Sequence, residues 1–304
     1  MELKTKYSGV IVPMVSPFND DFSIDQVAVQ KLVEFLTTND IKPFVVGTTG
    51  ESASMTANQK LNLVKATVQA VNGKQPVFAG ISGNSIQTSI EEGKIYSDIG
   101  VDVLVSTVPN YYPMDASQIM AYFEMIANSV SLPVIIYNIP ATTHCSIPLE
   151  VIEKLSHHTN IIGVKDSERN QLRLERSLIS WRNRDDFLFM VGWAAKSVYG
   201  LEHGASGIVP STGNLCPALY QRLFNSIKTG NIMQAKSLQQ QTDQISAFYQ
   251  KERDLSHSLS ALKVLLSMKN LCGTQVLPPL FKMDSIEETE FRIKMQIEFK
   301  NYNI

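Results

Sequence analysis

Short apolar runs alternate with amphipathic stretches along almost the whole chain. The runs fall at residues 9–15, 44–47, 77–80, 101–106, 134–137, 161–165, 187–192 and 207–210. Most are rich in Val, Ile and Phe and do not alternate apolar with polar residues. Strands buried on both faces have this pattern, and parallel sheets are built from them. Helical stripes lie between them. Val29, Leu32, Val33 and Leu36 recur at helical spacing, and Leu61, Val64, Val68 and Val71 form a second such face. Ser23-Ile24-Asp25-Gln26 and Thr56-Ala57-Asn58-Gln59 each fit a capping box, in which a hydroxyl and a later side chain satisfy orphan backbone N–H groups. Gly73 fits the position just past a helix C-terminus. Pro43, Pro76 and Pro133 precede strands, where they stop helix propagation.

Eight strand–helix repeats predict an α/β fold, a (β/α)₈ barrel. A doubly wound open sheet is the rival, but its Gly-x-Gly-x-x-Gly turn follows none of the runs. The last barrel helix is expected at 217–229, and three further helices at 232–251, 257–270 and 285–301. Length alone allows two domains at about 150 residues each. The strand count instead predicts one barrel, 1–230, carrying the active site, with a helical appendage, 231–304, packed on it.

Composition narrows the function. The chain has 304 residues and a formal net charge of −2. A protein that binds nucleic acid by neutralising phosphates is disfavoured by that balance. Charged residues make up only 18%, which is compatible with uncharged subunit contacts. Cys145, Cys216 and Cys272 are widely separated and show no Cys/His ligand spacing, so neither disulfides nor a metal site are expected. The start, Met1-Glu2-Leu3-Lys4, has no apolar signal region, and no 18-residue apolar stretch exists. A soluble, cytoplasmic protein without membrane contact is the simplest expectation.

In such a barrel the chemistry sits at the C-terminal ends of strands. Lys165 closes the apolar run Ile161-Ile162-Gly163-Val164. Desolvation there would lower its pKa, and a neutral amine is a nucleophile for carbonyls. The alternative is a packed stem whose head reaches solvent or pairs with Asp166. Tyr137 closes the neighbouring run, where it is either a proton relay or a core aromatic with a satisfied hydroxyl. Gly47-Thr48-Thr49-Gly50-Glu51 offers a tight turn with exposed N–H groups and two hydroxyls, which suits a carboxylate. Tyr111-Tyr112 reads as packing, a lid or an interface. The five His show no ligand spacing, and no Gly-x-Ser-x-Gly nucleophile elbow occurs.

Gly47-Thr48-Thr49-Gly50-Glu51-Ser52, Tyr137-Asn138-Ile139-Pro140 and Gly163-Val164-Lys165-Asp166-Ser167 stand in this order. Together with Gly204-Ala205-Ser206-Gly207-Ile208-Val209-Pro210-Ser211-Thr212, they resemble the dihydrodipicolinate synthase/N-acetylneuraminate lyase family of Schiff-base class I aldolases. The resemblance covers essentially the whole chain. It implies a lyase with Lys165 as the imine-forming residue, Tyr137 as proton donor and acceptor, and Thr48 as proton relay. Tyr111 would complete the relay from a neighbouring subunit, Tyr112 being the alternative. Gly47, Thr49, Thr142 and Val209 would contact substrate. The implied substrates are a 2-keto acid or pyruvate and an aldehyde. The implied assembly is a homo-oligomer, a dimer of dimers, and no metal or organic cofactor is implied.

Specificity departs from the family pattern at two places. Members that make dihydrodipicolinate carry an Arg where this chain has Thr142, and sialic acid lyases carry an acidic pair where it has Trp193-Ala194-Ala195. The expected reaction is therefore reversible cleavage of a 2-keto-3-deoxy sugar acid or 4-hydroxy-2-oxo acid. The alternatives are condensation of pyruvate with aspartate semialdehyde or a dehydratase of the same family. A non-catalytic keto-acid-binding barrel is the rival of a different class. Arg169 could replace the missing cation, or simply lie on a solvated helix start.

Overall fold

The computed structural model describes residues 2–302. In chain order the elements are α1 (Glu2–Tyr7), β1 (Gly9–Pro13), α2 (Gln26–Thr37), β2 (Lys42–Val45), α3 (Ala57–Val71), β3 (Phe78–Gly80), α4 (Ile86–Ile99), β4 (Val103–Ser106) and α5 (Ala116–Ser129). They continue as β5 (Val134–Asn138), α6 (Pro140–Thr143), α7 (Leu149–Leu155), β6 (Ile161–Asp166), α8 (Gln171–Trp181), β7 (Leu188–Val191), α9 (Ser197–Glu202) and β8 (Gly207–Ile208). The C-terminal region holds α10 (Pro217–Lys228), α11 (Ile232–Gln250), α12 (Leu255–Met268) and α13 (Ser285–Tyr302). The eight strands close into a barrel in sequence order, as the apolar runs predict.

The runs mark every strand but overshoot several ends, because apolar residues continue past the hydrogen-bonded ladder. Val15 and Gly192 lie beyond β1 and β7 for this reason. Helix starts divide more sharply. The Thr56–Gln59 capping box forms on both sides. The Ser23–Gln26 box does not: Asp25 is the N-cap of α2 and accepts from the Ala28 N–H. Ser23 is drawn away, because its hydroxyl donates to Asp21 at 2.6 Å. Past α3, Asn72 already takes the left-handed turn, with Gly73 following at φ 73°.

The chain forms two compact units. One comprises the residues up to Ile11 with Pro76–Pro210, the other Val12–Gln75 with Ser211 onward. In the first, β3 to β7 pair in parallel, and β8 pairs with β1 and β7. Its core includes Ile136, Val164, Leu188 and Phe189, all buried. Trp181 of α8 covers β7, its ring 5.4 Å from that of Phe187 and 5.7 Å from that of Phe189. In the second unit α2 packs on α3, and α10, α11, α12 and α13 pack in succession. No helix among the described residues is long and apolar enough to cross a membrane.

Candidate active site

The register of β5 on β6 sets Tyr137 opposite Lys165 and Asn138 opposite Asp166. Successive side chains on a strand point to opposite faces, so the first pair shares one face and the second pair the other. Gly163, on the same face as Lys165, permits the close approach of β7. A Cβ there would lie 2.6 Å from the Leu188 carbonyl oxygen.

Lys165 is 5% exposed, and its Nζ lies 3.7 Å from the centroid of the Tyr137 ring. Burial pushes its pKa below the usual lysine value, against a charge interaction and a hydrogen bond with Tyr137 that favour the ammonium. The structure thus brings together the two residues to which the sequence gives the imine and the proton transfer. The packed-stem alternative does not hold in the form in which Asp166 pairs with Lys165. Asp166 faces away and is bound by another cation.

That cation is Arg173 of α8. Its Nε lies 2.7 Å from Asp166 Oδ2 and 3.4 Å from Glu168 Oε2. Asn138 donates to Asp166 at 3.2 Å and to Glu168 at 3.1 Å, and the Ser146 hydroxyl donates to Glu168 at 2.6 Å. The Glu168 N–H reaches Asp166 Oδ1 at 2.9 Å. Burial pushes the Asp166 carboxyl up, while Arg173 and the two other donors act against it. Arg169, the cation considered from the sequence, is exposed, one turn before the residue that does the pairing. An acid inside a buried strand needs a counter-ion, and Asp166 at the end of its run was the signal for Arg173.

The Gly47–Glu51 turn lies in the other unit. Gly50, Glu51 and Ser52 donate their N–H groups back to Gly47 and Thr48 carbonyls, at 3.0, 3.1 and 3.3 Å. Those of Thr48 and Thr49 are not used inside the turn. Thr49 is buried and Thr48 half-buried. The Ser16 hydroxyl donates to the Gly50 carbonyl at 2.6 Å, and a Cβ on Gly50 would lie 3.0 Å from Ser16 Oγ and from the Met14 carbonyl. Below the turn, the buried Glu51 carboxylate meets Lys263 Nζ of α12 at 2.5 Å.

The remaining expected residues lie on other loops and elements. Tyr111 and Tyr112 stand 74% and 75% exposed on the loop after β4, with ring centroids 4.9 Å apart and edge to face. Val209 is buried just past β8. Thr142 is half-buried in α6, where its hydroxyl donates to the Ile139 carbonyl at 3.3 Å. After β7, a Cβ on Gly192 would run into the Ser167 hydroxyl, and Lys196 Nζ sits 5.3 Å from the Trp193 ring centroid.

Barrel and geometry together define a class, the parallel-barrel enzymes with a desolvated amine at the end of the sixth strand. The chain belongs to the Dihydrodipicolinate synthetase family, whose profile matches residues 6–298. It is similar to the 4-hydroxy-tetrahydrodipicolinate synthase of Staphylococcus haemolyticus, 30% identical over 225 residues, which cover 74% of this chain and 76% of the relative. Among solved structures it is similar to a dihydrodipicolinate synthase of Bacteroides thetaiotaomicron, at 30% identity and TM-score 0.90. That match covers 95% of this chain and 98% of the other. A prophage protein of E. coli K12 in the same family, solved in complex with pyruvate, shares the fold at 24% identity and TM-score 0.89, covering 95% and 98%. The family resemblance read from the motifs is therefore correct, and so is the assignment to lyases. The names of the first two match the stated alternative, the synthase, within the same enzyme class.

Proposed function

We propose that the protein is a pyruvate-type Schiff-base lyase in which Lys165 forms the imine. The observation that carries the reading is the buried, pKa-depressed Lys165 amine against Tyr137. The neutral Nζ attacks the keto carbon of the substrate. Tyr137 protonates the departing hydroxyl, water leaves, and the iminium becomes an electron sink. In the cleavage direction Tyr137 accepts the C4 hydroxyl proton, the C3–C4 bond breaks, and its electron pair enters an enamine as the aldehyde leaves. Protonation at C3 and hydrolysis return pyruvate and the free lysine. Thr48 and Tyr111, the latter from a second copy of the chain, relay protons to Tyr137. Thr49 and Gly47 hold the keto-acid carboxylate, and Val209 and Thr142 line the substrate.

The exposure of the Tyr111-Tyr112 pair supports a residue shared between copies in a dimer of dimers. The catalyst is the lysine itself, without metal or organic cofactor, and the enzyme works in the cytoplasm. The second substrate is the aldehyde of a 2-keto-3-deoxy sugar acid or 4-hydroxy-2-oxo acid. Support comes from Thr142, a neutral side chain whose hydroxyl is turned onto its own helix. Aspartate semialdehyde condensation is the second reading, favoured by the names of the relatives. Incubation with pyruvate and borohydride tests the imine by intact mass. An adduct that survives Lys165→Ala refutes it. Pyruvate release from a panel of 2-keto acids, beside condensation with the semialdehyde, separates the two readings.

A further inference from the structure

Two non-glycine residues flank the Gly47–Gly50 turn in the left-handed region, Val46 at φ 55° and Glu51 at φ 60°. For a β-branched residue such as Val46 this is an outlier that surrounding structure must enforce. The turn's internal hydrogen bonds close its backbone but do not fix where it sits. Outside it, the Ser16 hydroxyl holds the Gly50 carbonyl, and the charged anchor is the Glu51 carboxylate. Oε1 meets Lys263 Nζ at 2.5 Å, and Oε2 accepts the Leu277 N–H at 2.8 Å. Lys263 also donates to the Gln275 carbonyl at 2.6 Å, and its Nζ lies 4.4 Å from the Phe18 ring centroid. Side-chain exposure is 0% for Glu51 and 1% for Lys263. Taking two charges out of water is costly, so hydrophobic residues would hold α12 at least as well. What an ion pair adds is direction, because the carboxylate must stand over one ammonium and one N–H.

We propose that Glu51 and Lys263 are positioning residues for keto-acid binding, which makes α12 and the 275–277 segment part of the active-site framework rather than an appendage. The inference rests on the reading that Thr48 and Thr49 serve a pyruvate-binding site. The pair acts through the turn and touches no reacting atom. Loosening it misplaces the Thr49 carboxylate contact while leaving the amine of Lys165 as reactive as before. A pair that only stapled the fold would change melting temperature without changing substrate affinity.

The test is borohydride trapping of the full-length protein over a range of pyruvate concentrations, with mass spectrometry as the readout. Glu51→Gln keeps the shape and removes the charge. Its half-saturating pyruvate concentration is expected to rise about tenfold, with the maximal trapping rate within about threefold of the parent. Lys263→Met should match it. Lys263→Arg keeps the charge with different geometry and, if the first two do not fold, should still shift half-saturation by about threefold or more. Ile126→Ala, at a buried position on α5 outside this framework, supplies a destabilised control with unchanged half-saturation. Folded Glu51→Gln and Lys263→Met with parental half-saturation would overturn the inference alone, as would a Lys263→Arg that binds like the parent when neither of them folds. Failure of the parent to form any pyruvate adduct would overturn the proposed function and this inference with it.

Discussion

Arg173→Met keeps the length of the side-chain stem and removes the guanidinium that binds Asp166. The side chains of Asp166 and Arg173 are 7% and 10% exposed, so the variant leaves a carboxylate with almost no water to replace its partner. Breaking such a buried pair costs about 3–5 kcal/mol. The low end applies, because Asp166 keeps the Glu168 N–H at 2.9 Å and the Asn138 amide at 3.2 Å. A chain of 304 residues has an unfolding entropy of about 0.64 kcal/mol/K at about 2.1 cal/mol/K per residue. A loss of about 3 kcal/mol therefore lowers Tm by about 5 °C. The deficit should also depend on pH. Removing Arg173 deletes the main influence that holds the carboxyl down and leaves burial, which pushes it up from its ordinary 3.8. A carboxyl whose folded pKa is raised contributes stability that is present below the unfolded pKa and lost as pH rises through the folded one. The variant is thus relatively better off in acid, by about 1.4 kcal/mol, or about 2 °C, for each further unit of elevation. Thermal melts of both proteins at pH 5 and pH 8 measure this. A deficit equal at the two pH values, or larger at pH 5, refutes the account of Asp166.

Tyr137→Phe should fold normally and slow imine formation with pyruvate by about 10²–10⁴-fold, followed as adduct formation under borohydride. An unchanged rate would remove Tyr137 from the proton path. Trapping at saturating pyruvate should rise with pH and level off below pH 10.5, the ordinary lysine value, because burial favours the neutral amine of Lys165. A midpoint at or above that value contradicts the desolvated site. Gly163→Ala places a methyl 2.6 Å from the Leu188 carbonyl oxygen and 2.8 Å from its Cβ. Overpacking there should cost about 1–3 kcal/mol in chemical denaturation and depress trapping, since β6 must move with Lys165 on it. Parental values in both assays would show that β6 and β7 have slack.

The sequence exposes features whose cause is local. Each strand of the barrel announces itself because both its faces are apolar, and Lys165 and Tyr137 stand out because each breaks such a run at its end. The Thr56–Gln59 box is legible since every partner lies within one turn. Where two local solutions compete the reading fails. Ser23 and Asp25 are both good caps, and the loop hydrogen bond from Ser23 to Asp21 decides between them. Long-range partners leave no trace in the pattern. Glu51 reads as part of a turn and Lys263 as one more helical lysine, yet they form the most deeply buried ion pair among the described residues. Arg173 reads as a surface residue of an amphipathic helix, and only the acid inside β6 hints that it is needed.

The opposing faces of β6 explain how the pKa of an amine is depressed one residue away from a carboxylate. An unpaired Asp166 would stabilise the ammonium of Lys165 through the low-dielectric strand layer and so offset the pKa depression. Pleating first turns the carboxylate to the helix side. There Arg173, Asn138 and the Glu168 N–H hold it in a network of its own. On the other face Lys165 meets an aromatic ring and a phenol. A charge interaction and a hydrogen bond with Tyr137 oppose the pKa depression, and burial prevails. The carboxylate on the helix side and the pKa-depressed amine on the other are thus one arrangement. Under the proposed function, a chain of net charge −2 needs no broad positive field to serve an anionic keto acid. On the proposed reading the attraction comes from local donors, and the reactivity from removing water from a single amine.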